Sequence, residues 1–338
     1  MATNSDLRAQ QLVSSYMRAG YTPIDPPVVQ PAEPFLDLSG EDIRRRMFLT
    51  SDPHGRELCL RPDLTIPVSR EYLNSPAAGQ AAGFCYLGTV FRHREGMAAE
   101  FLQAGIESFA RADKAAADAE MLALGLEAAT LYGLTAPDIR IGDVGLFAAF
   151  VAALDLPPAW KRRLIKDFNR KWSLAQDLDQ LALTAANGPP EYQGVLAALA
   201  GSDPKAAHHL VTDLLSIAGI ATVGGRSVAE VAERFLEQAA LGGGSRLPRE
   251  TRALIERFLA VRGDPDDATS ELRRLAADAG IALDAALDLL ETRTGFLAAR
   301  GVDVRAMQFS TAFGRGFDYY TGFVFEIHDA REIGRAHV

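Results

Sequence analysis

Cysteine, tryptophan and lysine are all scarce in this chain of 338 residues, with 2 Cys, 2 Trp and 5 Lys. The two cysteines, Cys59 and Cys85, each sit in a strand-like apolar run, and no CxxC or Cys/His spacing accompanies them. That excludes a disulfide scaffold, gives no sign of a zinc site, and marks both thiols as buried small hydrophobes. Long apolar runs are missing too. None approaches the roughly 18 residues needed to cross a bilayer, and Met1 leads into a polar stretch without the apolar core of a signal peptide. A cytoplasmic chain with no membrane partner is therefore expected. Excess positive charge is also absent. With 35 Lys+Arg against 44 Asp+Glu the formal charge is −9, which argues against general affinity for nucleic acid. What is there, 48% hydrophobic and 23% charged residues, is ordinary globular composition, and the length predicts about two domains.

Along the chain, Asp6 to Ala19 has helical spacing and Gly20 supplies a stop. The proline-rich stretch from Tyr21 to Gln30 can only be extended. Short strands are expected around Met47–Thr50 and Glu57–Leu60, with a short helix from Asp63 to Leu73. Gly83–Arg92 and Phe101–Ala110 predict an antiparallel hairpin. Ala115–Leu131 is a strong helix, and Ile139-Arg140-Ile141 a short strand. From about Gly145 to Gly301 the signal is almost wholly helical, and strand character returns at Met307–Phe313 and Thr321–His328. Strands, then helices, then strands again predict one α+β domain interrupted by a mostly helical insertion.

Three segments carry chemistry. In Phe101-Leu102-Gln103-Ala104-Gly105-Ile106-Glu107, alternation puts Gln103, Gly105 and Glu107 on one face and Leu102, Ala104 and Ile106 on the core face. Gly105 leaves a gap where something can approach the backbone, and Arg92 lies at the hairpin end. A carboxylate, an amide and a guanidinium facing one cleft can hold an amino acid; the competing reading is a solvated sheet face with incidental charges. In the second segment, Phe313 to Glu326, glycines flank Arg315 and the paired Tyr319 and Tyr320 offer flat walls with hydroxyls, against a reading as core aromatics. In the third, Leu60-Arg61-Pro62-Asp63-Leu64-Thr65, a strand meets a helix and Asp63 serves equally well as an N-cap.

Together these segments resemble the class II histidyl-tRNA synthetase core and, more closely, its paralogue family, the regulatory subunits of ATP phosphoribosyltransferase. Arg61-Pro62-Asp63-Leu64-Thr65 is similar to the family's Arg-Pro-Glu-Gly-Thr. Phe91-Arg92 through Gln103-Ala104-Gly105-Ile106-Glu107 resembles class II motif 2, and Arg315-Gly316-Phe317-Asp318-Tyr319-Tyr320 resembles the histidine-specific signature. The resemblance implies a class II synthetase-like antiparallel sheet with flanking helices. It places a first core part at 1–144, a helical insertion at 145–305 and a second core part at 306–331. It also implies that Asp63, Thr65 and Gln103 hold the α-ammonium of histidine. Glu107 and Tyr320 would face the imidazole with Tyr319 beside it, and Arg92 and Arg315 would face carboxylate or phosphate.

Departures from the synthetase pattern separate the two functions. Where the synthetases carry a glutamate that reads adenine, this chain has Arg94, with Glu95 displaced by one, and a one-residue slip on a strand reverses a side chain's facing. Only 11 positions separate Arg92 from Gln103, and Gly96 to Glu100 holds no Lys or Arg to meet ATP phosphates or a tRNA end. Asp63 replaces a glutamate, and Gln30 stands where the synthetases tend to carry Glu. The expected function is thus a non-catalytic regulatory subunit, without cofactor, metal or tRNA. It would assemble with the short-form catalytic subunit of ATP phosphoribosyltransferase, form a self-dimer near Pro26-Pro27, and transmit feedback inhibition by histidine in the first step of histidine biosynthesis. A histidyl-tRNA synthetase and a scaffold with a dead pocket are the alternatives. By the same resemblance the fold should continue past Glu326, so the chain is expected to be C-terminally truncated. The last seven residues, 332–338, can be encoded by a common sequencing-adapter sequence, GAGATCGGAAGAGCACACGTC, and are expected to be a non-native tail.

Overall fold

Glycine and proline set the first boundaries. The computed structural model describes residues 4–168, 210–214, 222–223, 226–227, 247–314 and 320–329. Helix α1 (Asn4–Arg18) ends where Gly20 takes φ +98°. There Gly20 N donates to Met17 O and Tyr21 N to Tyr16 O, the paired bonds of a Schellman stop. The extended stretch beyond it supplies β1 (Thr22–Pro23) and β2 (Val29–Pro31). Helix α2 (Glu33–Arg44), strands β3 (Leu49–Ser51) and β4 (Glu57–Leu60), and helix α3 (Thr65–Leu73) follow.

The expected hairpin forms within a residue of its predicted bounds, as β5 (Ala82–Phe91) and β6 (Glu100–Phe109). Its register pairs Phe84 with Glu107, Tyr86 with Gly105 and Gly88 with Gln103. β1 lies parallel beside β5, and β2, β4 and β3 make a separate small antiparallel sheet. Helix α4 (Lys114–Leu131) and α1 cover one face of the hairpin, where Leu12, Tyr16, Tyr21, Cys85 and Leu124 pack with Ala104 and Ile106. The other face packs Tyr86 and Val90 with Leu64 and Val68, flanked by Phe84, Phe101 and Phe109. Leu102, expected in the core, is 62% exposed. Alternation tells which way a side chain points, whereas the reach of the covering helices decides whether it is buried.

Strand β7 (Asp138–Asp143) joins distant parts of the chain. Helix α5 (Val144–Ala153) continues from it, and α6 (Pro158–Phe168), the two-residue strands β8 (Thr222–Val223) and β9 (Arg226–Ser227), α7 (Arg249–Ala260) and β10 (Arg262–Gly263) follow. Beyond them come α8 (Pro265–Ala279), α9 (Asp284–Ala299), β11 (Gln308–Ser310) and β12 (Phe323–His328). β7 pairs parallel with β11 and antiparallel with β12, from Phe323 opposite Asp143 to His328 opposite Asp138. β7 thus completes one sheet with three strands from residues 262–328, in the order β10-β11-β7-β12, while β1 to β6 stay in two other sheets.

The chain divides into two compact units, residues 1–146 with 260–338, and residues 147–259. In the second, Phe147 stacks on Phe168 and Phe150 on Phe258, each pair at 4.0 Å, beside buried Trp160, Leu164 and Ile255. The division differs from the predicted insertion at 145–305, because α8 and α9 fall in the first unit. Helical content does not reveal the partner of a helix. α9 packs on α4 and buries Leu287, Leu290, Leu297 and Arg293. At the start of α8, Asp264 caps the helix, accepting from Asp266 N and Asp267 N, with Pro265 next.

Candidate functional site

Three elements meet on the α3 side of the hairpin. α3 begins at the end of β4, where Asp63 Oδ1 accepts from Ile66 N at 3.1 Å, so one carboxylate oxygen satisfies a free helix donor. Thr65 opens the helix. Its hydroxyl lies 3.4 Å from that of Tyr86 on β5, and Tyr86 Oη donates to Glu107 Oε1 on β6 at 3.0 Å. The gap at Gly105 is therefore filled from within the chain. Tyr86 lies opposite Gly105, and a Cβ there would come within 2.6 Å of Tyr86 Cζ. Glycine is required for the ring to reach Glu107.

Burial dominates the electrostatics. It pushes the Glu107 carboxyl up to about 7, opposed by the Thr65 and Tyr86 hydroxyls and assisted by the negative charge of Asp63. Burial also raises Asp63, with the Ile66 amide and the Arg92 charge pulling the other way. Tyr86 is driven well above the usual phenol range, first by burial and then by the charge of Glu107. Gln103 is on the same face as Glu107, and its Oε1 is buried with no hydrogen-bond partner among the described residues. In a core such an acceptor is costly unless a donor arrives.

The structure thus brings together Asp63, Thr65, Arg92 and Glu107, with Gln103 on the shared strand face. Tyr320 is half-buried just ahead of β12. Arg315 and Tyr319 lie outside the described residues, as do His208-His209 and the 332–338 tail. Tyr86 escaped the sequence reading, although hairpin register alone sets it facing Gly105.

Neighbouring groups are structural. Arg61, 3% exposed, donates from Nε to Thr89 O at 2.8 Å and from Nη1 to Pro26 O. Gln30 donates to Pro27 O and accepts from Arg70. Arg94 lies with its guanidinium 3.8 Å from the centre of the Phe101 ring and donates to Ala98 O at 2.9 Å. Among the described residues no cluster of His, Cys, Asp and Glu suits a metal ion, and no helix is long and apolar enough to cross a membrane.

Comparison with known proteins gives this geometry its family. A family model described as histidyl-tRNA synthetase matches residues 2–237 and 207–336. ATP phosphoribosyltransferase regulatory subunits from Brucella canis and Brucella melitensis biotype 1 are each 41% identical over 309 residues, covering 91% of this chain and 81% of theirs. Two crystal structures share the fold at 20% identity. One, described as an ATP phosphoribosyltransferase regulatory subunit/histidyl-tRNA synthetase from Bacillus halodurans, aligns over 97% of this chain and 69% of its own with a TM-score of 0.66. The other, a histidyl-tRNA synthetase from a Nostoc species, aligns over 95% and 60% with a TM-score of 0.58. The α+β architecture is that of the class II aminoacyl-tRNA synthetases. The chain belongs to the family of ATP phosphoribosyltransferase regulatory subunits, built on the histidyl-tRNA synthetase fold.

Proposed function

We propose that this chain acts without catalysis of its own, assembling with the short-form catalytic subunit of ATP phosphoribosyltransferase and conveying to it the concentration of histidine. Asp63, Thr65 and Gln103 take the α-ammonium. Glu107 and Tyr320, with Tyr319 beside them, take the imidazole, and Arg92 and Arg315 take the carboxylate. Buried acceptors on the hairpin face beside α3 support that assignment, since both the ammonium and an imidazole N–H are donors. Inhibition then requires that histidine bind two states of the complex with different affinity.

A single observation weighs most against adenylation: Arg94 lies over Phe101 in the place where a synthetase would present a glutamate to adenine. A guanidinium offers only donors and cannot accept from the adenine amino group. Self-association fits the exposed apolar side chains of Val28 and Val29, next to Pro26-Pro27 in the chain, and of Phe48 and Leu49 at the start of β3. No tRNA is bound, and the chain works in the cytoplasm.

Histidine-dependent exchange of label between pyrophosphate and ATP tests the reading. The purified chain should show none above background, whereas robust exchange would make it a synthetase.

A further inference from the structure

Hydroxyls from two separate elements converge on Glu107, and each has one proton to give. Tyr86 gives its proton to Glu107 Oε1. Thr65 can give its own to the Tyr86 oxygen, 3.4 Å away. The two protons then stay inside the triad. Around it, the Gln103 carbonyl oxygen offers lone pairs without a partner among the described residues. Asp63 adds negative charge from the loop before α3, and Arg92 adds positive charge on the Asp63 side. Phe84 lies opposite Glu107 across the hairpin and brings no charge.

We propose that Tyr86 is a positioning residue for the ligand: with Thr65 it steadies the ionised form of Glu107 as an acceptor, so the pocket selects a molecule presenting an N–H donor there and rejects one of equal shape without it. This rests on the amino-acid reading above and goes beyond it in assigning Tyr86 and the polarity of the ring contact. The phenol suits the role because it stays protonated across the physiological range. Its ring is held against Gly105, so the hydroxyl cannot swing away.

The substitution Tyr86→Phe keeps the ring and removes only the hydroxyl. Two readouts apply to the full chain with 13C-labelled glutamate. By NMR, the Glu107 midpoint should lie near 7 in the parent and move up by about one unit in the variant, the worth of a hydrogen bond to a charged group. By calorimetry, the parent should prefer histidine over 4-thiazolylalanine, which has no ring N–H, by roughly 100-fold. The variant should bind histidine about fivefold more weakly at pH 7 and recover most of that loss at pH 9. A packing defect would weaken binding equally at every pH. Thr65→Val should shift the midpoint in the same direction, and it carries the test if Tyr86→Phe folds poorly. An unchanged Glu107 midpoint with histidine still bound overturns the role of Tyr86 alone. Failure of the parent to bind histidine at any pH overturns the amino-acid reading, and the ligand selection with it.

Discussion

Replacing Arg293 by methionine should cost the chain about 3–5 kcal/mol of unfolding free energy, the largest stability effect expected of a single substitution outside the apolar core. Arg293, on α9, is 4% exposed. Its Nη1 meets Asp143 Oδ2 at 2.5 Å and its Nε meets Asp118 Oδ2 at 2.6 Å. Asp143 ends β7 and turns its other oxygen to the amides of Gly145 and Leu146 at the start of α5. One guanidinium therefore ties α4, β7, α5 and α9 together, with the Phe323 ring of β12 5.4 Å from its centre. Methionine fills similar volume but leaves two carboxylates facing each other in a poorly solvated place. Burial already raises Asp118, and the Arg293 charge is what opposes that rise. Lysine should recover only part of the loss, since a single ammonium lacks the fork that reaches both acids. Urea unfolding measures it. A loss under 1 kcal/mol for Arg293→Met would show that water reaches the acids and that the bridge holds little.

The second large effect concerns the pocket. Glu107→Gln should weaken histidine binding by roughly 13- to 160-fold, the range for removing a hydrogen bond to a charged acceptor, while making the unliganded chain more stable at alkaline pH. The two outcomes have one cause. Glu107 titrates at about 7 in the folded chain against 4.5 for a free glutamate, so between those values the folded state keeps a proton that the unfolded chain has released. The resulting stability is complete below about pH 4.5 and is lost as pH rises through 7, a change on the order of 3 kcal/mol. Asp63, raised by the same burial, adds to the slope and persists in the variant. Unfolding at pH 5.5 and 8.5 should therefore show a marked loss in the parent and a smaller one in Glu107→Gln. Equal losses would mean that Glu107 is already ionised without cost in the folded chain.

How far the sequence reveals this site depends on the range of the interaction. Adjacent strands and one alternating face made the hairpin legible, along with the polar set of Gln103 and Glu107, because side-chain facing is a local property. The start of α3 was legible for the same reason: Asp63 lies one residue before the N-cap Leu64 and accepts from the Ile66 amide of the first turn, while its charge also acts on Glu107. Tyr86 needed the register of the hairpin, which depends on how the loop from Arg92 to Ala99 closes. Arg293 was out of reach altogether. It sits 150 residues from Asp143 and 175 from Asp118, on a helix whose pattern shows an arginine like any other.

Regulation of a partner is read out by phosphoribosyl transfer to ATP, followed with a short-form catalytic subunit alone, then with this chain added, then with histidine as well. Activity should be low from the catalytic subunit alone, rise markedly on mixing, and fall again with histidine. Activity that is the same with and without this chain would contradict that role.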